Sequence, residues 1–303
     1  MVNRGLRMAR MSVGLGMRIR CERNGINWDL DLDEGIDLCI YLMGAYEPST
    51  RRAYTPVIKA GATVFDIGAN IGAHTLHFAK LTGPSGRVFA FEPTDYATSK
   101  LRGNLALNPE LLPRVEVHQQ FLVSDYVETL PPMVISRWPV AHEHHDLDHD
   151  HLGKPEKLAN ASATTADDFC ERAAITHLDF VKLDVDGNEY RVLKGFARAL
   201  KKFRPVILIE LAPFVYRDLE AADFDNMINF VAELAYVFTD ARTGRALSSD
   251  PNELRQRISP GGSMNCLLYP AEKIGDFNLS CWTAISEPIP PSRLGPAGGN
   301  CPA

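Results

Sequence analysis

No two of the chain's six cysteines form a C-x-x-C pair; they stand at 21, 39, 170, 266, 281 and 301, scattered over 303 residues. Such spacing offers neither a thiolate metal site nor a disulfide framework, and it reads as the reduced thiols of a cytoplasmic enzyme. Long hydrophobic runs are missing too. None reaches the roughly 18 residues that a membrane span needs. There is no basic excess, and a net charge of −6 implies no nucleic-acid partner. The first twenty residues hold no acid and carry Arg4, Arg7, Arg10, Arg18 and Arg20. The apolar stretch inside them is short and broken by Gly14 and Gly16, so it makes a poor signal peptide and reads as a loose basic arm over residues 1–17.

What is present is concentrated in Thr63 to Leu81, TVFDIGANIGAHTLHFAKL. An apolar run ends in Asp66, a turn holds Gly68, Ala69, Asn70 and Gly72, and a helical pattern follows. Strand, glycine turn and helix make up a nucleotide-binding βα unit, because Gly and Asn tolerate the backbone angles that let a ligand approach. A second strand, RVFAF, ends in Glu92, twenty residues after Gly72. That spacing suits a carboxylate accepting hydrogen bonds from both ribose hydroxyls. Asn70 and Ala73 replace two glycines of the dinucleotide pattern G-x-G-x-x-G, and no lysine completes a P-loop. Asp66 before the turn suits a cofactor with a cationic amino-acid tail better than a pyrophosphate. S-adenosylmethionine (SAM) is the cofactor expected. A divalent cation is compatible with the sequence but not expected.

The rest of the chain fits around this unit. Residues 18–60 read as an N-terminal cap with a hairpin turning at Asn24-Gly25. Asp29, Asp31, Asp33 and Glu34 read as its solvated face, and a substrate role for Tyr46 or Glu47 is the lesser reading. Strands are expected at 63–67, 87–91, 115–122, 178–185, 205–211, 236–239 and 264–269, with helices between them, in a domain spanning 61–272. Repeated βα units imply a mostly parallel seven-stranded sheet with helices on both faces, and ligands at the strands' carboxyl ends. An insert at 139–160 interrupts the beat with five histidines (142, 144, 145, 149, 151) interleaved with Asp146, Asp148 and Asp150. A metal site, a mobile polar loop and a substrate lid supplying a histidine base are the alternatives there. Residues 273–303 form a C-terminal extension, Pro- and Gly-rich and expected to be disordered from 286.

DIGANIGAHTL, FAFEP, the L-x-x-N helix, VKLDVDGNEYRVLKG and VILIEL together resemble the FkbM-type methyltransferases over roughly residues 60–215. The resemblance implies the Rossmann-like class I methyltransferase fold, SAM as cofactor, and O-methylation of a hydroxyl on a small metabolite, sugar or polyketide-type acceptor. Asp186 stands where the family more often has Glu. On this reading Asp66, Gly68, Ala69, Asn70 and Gly72 organise the methionine part of SAM. Glu92 and Pro93 face the ribose, and Asp125 the adenine amino group. Asp184 is the first candidate for the base that takes the acceptor's proton, and Glu210 the second. Asp184, Asp186 and Asn188 form an alternative cation cluster. The rival functions are an NAD-dependent oxidoreductase and a non-catalytic SAM-binding subunit.

Overall fold

The computed structural model describes residues 5, 9, 10, 12, 14–125, 130–140, 153–216 and 222–276. The histidine-rich tract at 141–152, most of the basic arm and everything after 276 lie outside the described residues. The metal, lid and disorder expectations placed on those stretches therefore have no structural counterpart here.

Strands β1 (Arg18–Glu22) and β2 (Asn27–Asp31) pair antiparallel around Asn24-Gly25. Both turn residues have positive φ, +55° and +68°, as a two-residue hairpin of matching twist requires. The free edge of β2 does not meet water. The N–H groups of Asn27, Asp29 and Asp31 donate to Asn108 Oδ1 (2.8 Å), Asn104 Oδ1 (3.0 Å) and Asp37 Oδ1 (2.6 Å). Asn104 and Asn108 are buried, so they act as solder between the helix Asp95–Ala106 and the cap. Two helices, Gly35–Met43 and Pro48–Tyr54, complete the cap.

The central sheet holds β3 (Thr63–Ile67), β4 (Arg87–Phe91), β5 (Val115–His118), β10 (Phe180–Leu183), β11 (Val206–Leu211), β12 (Tyr236–Asp240) and β13 (Met264–Pro270). Their spatial order is β12-β13-β11-β10-β3-β4-β5. All neighbours are parallel except β13, which runs against both β11 and β12. The chain builds β3, β4 and β5 outward and then crosses back to lay β10 on the other side of β3. That switch opens a crevice at the carboxyl ends of β3 and β10. β3 is buried at every position, as a strand covered on both faces must be. Phe65, Phe89, Phe91, Phe169 and Phe196 pack one face of the sheet; Val64, Phe78, Phe180, Tyr54 and Trp28 belong to the core on the other.

Three expected elements are shorter than the sequence suggests. The helix after the glycine turn starts at Thr75, because residues 68–72 are spent on the turn. The strand expected at 115–122 breaks after His118; β6 (Gln120–Leu122) leaves the sheet to pair with β9 (Ser162–Thr164). The helical span expected between β10 and β11 is broken into two short helices, Glu189–Lys194 and Ala197–Phe203. Between β6 and β9 the insert begins earlier than the expected residue 139, with β7 (Met133–Arg137) and β8 (Lys154–Lys157) pairing as an antiparallel hairpin.

Replacing Asn104 by Ala leaves Asp29 N–H and Ile71 C=O without their side-chain partners at the cap interface. The expected cost is about 1–3 kcal/mol, read as a melting temperature lower by several degrees in thermal denaturation. An unchanged midpoint would show that the cap is held by other means.

Candidate active site

A cavity of about 560 Å³ opens at the carboxyl ends of β3, β4, β10 and β11. Its walls come from the glycine turn, the strand ends, the cap and the insert hairpin. Gly68, Asn70 and Gly72 all have positive φ (+80°, +48° and +89°). Gly68 and Ala69 both donate their N–H to Phe91 O at 3.0 Å, which folds the turn back onto the end of β4. A Cβ on Gly68 would lie 1.8 Å from Asp184 O, so only glycine lets the turn pass that close to β10. Gly68, Ala69 and Asn70 line the cavity. Gly72 does not; its bare Cα makes room for Leu101 and Leu76 of the helix packing.

Asp66 is fully buried beneath the turn, outside the cavity wall. It accepts a 2.6 Å hydrogen bond from Thr75 Oγ1 and faces Lys182 Nζ at 3.8 Å. Lys182 is its neighbour in the β3–β10 register, so both side chains leave the same face of the sheet. The ammonium also donates to Gly68 O (3.1 Å) and pairs with Asp184 Oδ2 (3.0 Å). Burial works against the charge of Lys182, but Asp184 and Asp66 outweigh it and hold its pKa above the usual lysine range. Sequence reasoning passed over this lysine. The signal was there, since a charged residue inside a doubly covered apolar strand demands a partner.

Glu92 and Pro93 line the cavity beside the turn. Glu92 is 4 % exposed. Its Oε2 accepts from Asn70 N (2.9 Å), and its Oε1 accepts from Thr94 N (3.0 Å) and Thr94 Oγ1 (2.6 Å). Burial pushes its pKa above the ordinary carboxylate value, against the pull of the Thr94 and Asn70 donors. Two oxygens offer about four acceptor positions, so capacity toward the cavity remains.

Asp125 is not brought to this wall. It is exposed and absent from the lining, while Gln120, Phe121 and Leu122 present themselves instead. The break after His118 explains the difference: β6 turns away from the sheet and carries Asp125 past the mouth. At the far side, Asp184, Asp186 and Glu210 each place a carboxylate oxygen within 4.8 Å of the others'. Asn188 also lines the cavity. Burial, then the charge of Asp184, push both Asp186 and Glu210 well above the usual carboxylate range. Ser263 Oγ donates to Glu210 Oε1 at 2.5 Å. Glu189 caps its own turn, accepting from Val185 N (3.0 Å) and Gly187 N (3.1 Å). The cap contributes Tyr46 and the turn contributes His74, which stack edge to face at 5.9 Å. Glu34, taken from sequence as solvated, is 5 % exposed and paired with Arg137 of the insert.

The model of the methyltransferase FkbM domain matches residues 66–238. Among solved structures, the chain is similar to a methyltransferase FkbM from Methylobacillus flagellatus KT, at 17% identity and a TM-score of 0.42, covering 69% of this chain and 44% of that one. The chain thus spans less than half of that protein's length. It is also similar to an O-methyltransferase from Bacillus cereus in complex with SAH (16% identity, TM-score 0.43, 73% and 80% covered). A putative rRNA-methylase from Clostridium thermocellum is a further likeness (14% identity, TM-score 0.43, 73% and 92% covered). No curated protein matches the chain. No described helix is long and apolar enough to cross a membrane.

The raised pKa of Glu92 sets a pH dependence. A ribose contact that needs the carboxylate is lost as pH falls through that raised value, which lies above the usual 4.5. Isothermal titration of S-adenosylhomocysteine across pH 4–8 should show this weakening in the wild type, with a flat profile for Glu92→Gln. A flat wild-type profile would remove Glu92 from the binding equilibrium.

Proposed function

The chain belongs to the FkbM methyltransferase family, and from that premise we propose that it transfers the methyl group of SAM to a hydroxyl of a small acceptor. The residues present fit that cofactor. Glu92 is a buried carboxylate with acceptor capacity left over, in a cavity of about 560 Å³ beside a left-handed glycine turn. Gly68, Ala69, Asn70, Glu92 and Pro93 would hold it, with Asp66 and Lys182 bracing the turn from below. When bound, SAM supplies a methyl group already activated by the sulfonium charge. The protein then has to orient the acceptor, exclude water and take one proton.

The observation that carries the hydroxyl reading is Glu210. It lines the cavity, and burial together with the charge of Asp184 raises its proton affinity. A carboxylate with raised proton affinity is the kind of base an alcohol acceptor needs. Asp184 shares that wall but is bound to Lys182 at 3.0 Å. No cation lies within ion-pair reach of Glu210 among the described residues, so the order of the two candidates is reversed from the sequence expectation. The carboxylates bind and orient the acceptor's other polar groups, and Tyr46 and Phe214 supply apolar wall. The oxidoreductase alternative has nothing in its favour beyond the turn and the ribose acid that both readings share.

Incubation with methyl-labelled SAM and a panel of hydroxylated sugars, polyketide alcohols and phenols tests the reading by mass spectrometry. Methyl ethers are expected, in EDTA as without it. Labelled amines or carbon-bound methyl would overturn the choice of hydroxyl. Glu210→Gln should lower kcat about 10²- to 10⁴-fold while leaving the Kd for S-adenosylhomocysteine unchanged.

A further inference from the structure

The insert, for which a metal site, a polar loop and a substrate lid were the alternatives, has polar ties to the cofactor side through its hairpin. Ser136, on β7 and 5 % exposed, meets both residues that hold Glu92. Asn70 Nδ2 donates to Ser136 O at 3.0 Å, and the Asn70 N–H donates to Glu92 Oε2 at 2.9 Å. Ser136 Oγ lies 3.0 Å from Thr94 Oγ1. The direction of that last bond follows from counting protons. A threonine hydroxyl has one, and Thr94 spends it on Glu92 Oε1 at 2.6 Å. Ser136 must therefore be the donor to Thr94. The result is a one-way chain, Ser136 O–H to Thr94 O–H to the Glu92 carboxylate, in which each bond polarises the next. The second oxygen of Glu92 is reached from the same serine through Asn70.

We propose that Ser136 is a positioning residue for the cofactor's ribose: from the insert, through Thr94 and Asn70, it sets the orientation of both Glu92 oxygens. The hairpin is fixed well enough to do so. Arg137 pairs with Glu34 of the cap and with Glu156 of β8 (3.1 Å), and lies over the Tyr96 ring at 4.3 Å. Gly35 N donates to Trp138 O at 2.8 Å. Ser136 touches no reacting atom, and the inference rests on the assignment of an adenosyl cofactor to this cavity.

The test is a ratio of affinities, measured by isothermal titration on the full chain with S-adenosylhomocysteine and its 2′-deoxy counterpart. The wild type is expected to prefer the ribose form, and Glu92→Ala to abolish that preference. Ser136→Ala should shrink it roughly three- to tenfold, and Ser136→Thr, which keeps the hydroxyl, should restore it. Equal weakening of both ligands by Ser136→Ala, or no change in the ratio, would mean a packing role only and overturn the proposal. Failure of the wild type to bind either ligand would overturn the cofactor assignment itself, and the proposal with it.

Discussion

Glu92 is the point through which the separate parts of this molecule meet. Its carboxylate lies at the end of β4, buried, and accepts one N–H from the glycine turn and one N–H and one O–H from Thr94. Removing a carboxylate from water is costly unless such donors replace the solvent. Those donors cannot be in place unless the turn is left-handed at Asn70 and the helix Asp95–Ala106 starts at Thr94. The cap enters the same assembly through Asn104, which joins β2 to Ile71 of the turn. The insert enters it through Ser136. A single buried charge thus links four segments that are far apart in sequence, and the switch between β3 and β10 opens the cavity beside it.

Charge elsewhere in the cavity follows a different logic. Lys182 is the one buried ammonium described in the wall, and it is shared between Asp66 beneath the turn and Asp184 at the strand end. That leaves Asp186 and Glu210 to face Asp184 with no cation of their own. Both respond by holding their protons more tightly. Acid side chains that look equivalent in sequence differ in their surroundings: Asp66 lies beneath the turn hydrogen-bonded to Thr75, Asp184 is ion paired with Lys182, and Glu210 is hydrogen-bonded to Ser263.

Much of this was legible beforehand. The seven strands, the hairpin at Asn24-Gly25, the glycine turn and the spacing to Glu92 follow from local rules of period and turn chemistry, and they hold in the structure. The strand expected at 115–122 ends at His118, because nothing in its alternation signals that β6 prefers β9 to the sheet. Asp125 moved away for that reason. Lys182 was hidden by its apolar neighbours. Asn104 and Asn108 serve an edge strand 75 and 81 residues away, which no local pattern signals. The link from Ser136 to Glu92 depends on how an insert folds back, and no local pattern encodes it.

The most direct measurement is the affinity of S-adenosylhomocysteine for the wild type and for Glu92→Ala, with NAD as the competing ligand. Micromolar or tighter binding of S-adenosylhomocysteine, at least tenfold weaker in the variant and with no binding of NAD, is the result predicted. A tenfold loss corresponds to about 1.4 kcal/mol, within the range of a charge-assisted hydrogen bond. Unchanged affinity in Glu92→Ala would contradict the account, because the carboxylate on which four segments converge would then have no part in holding the cofactor.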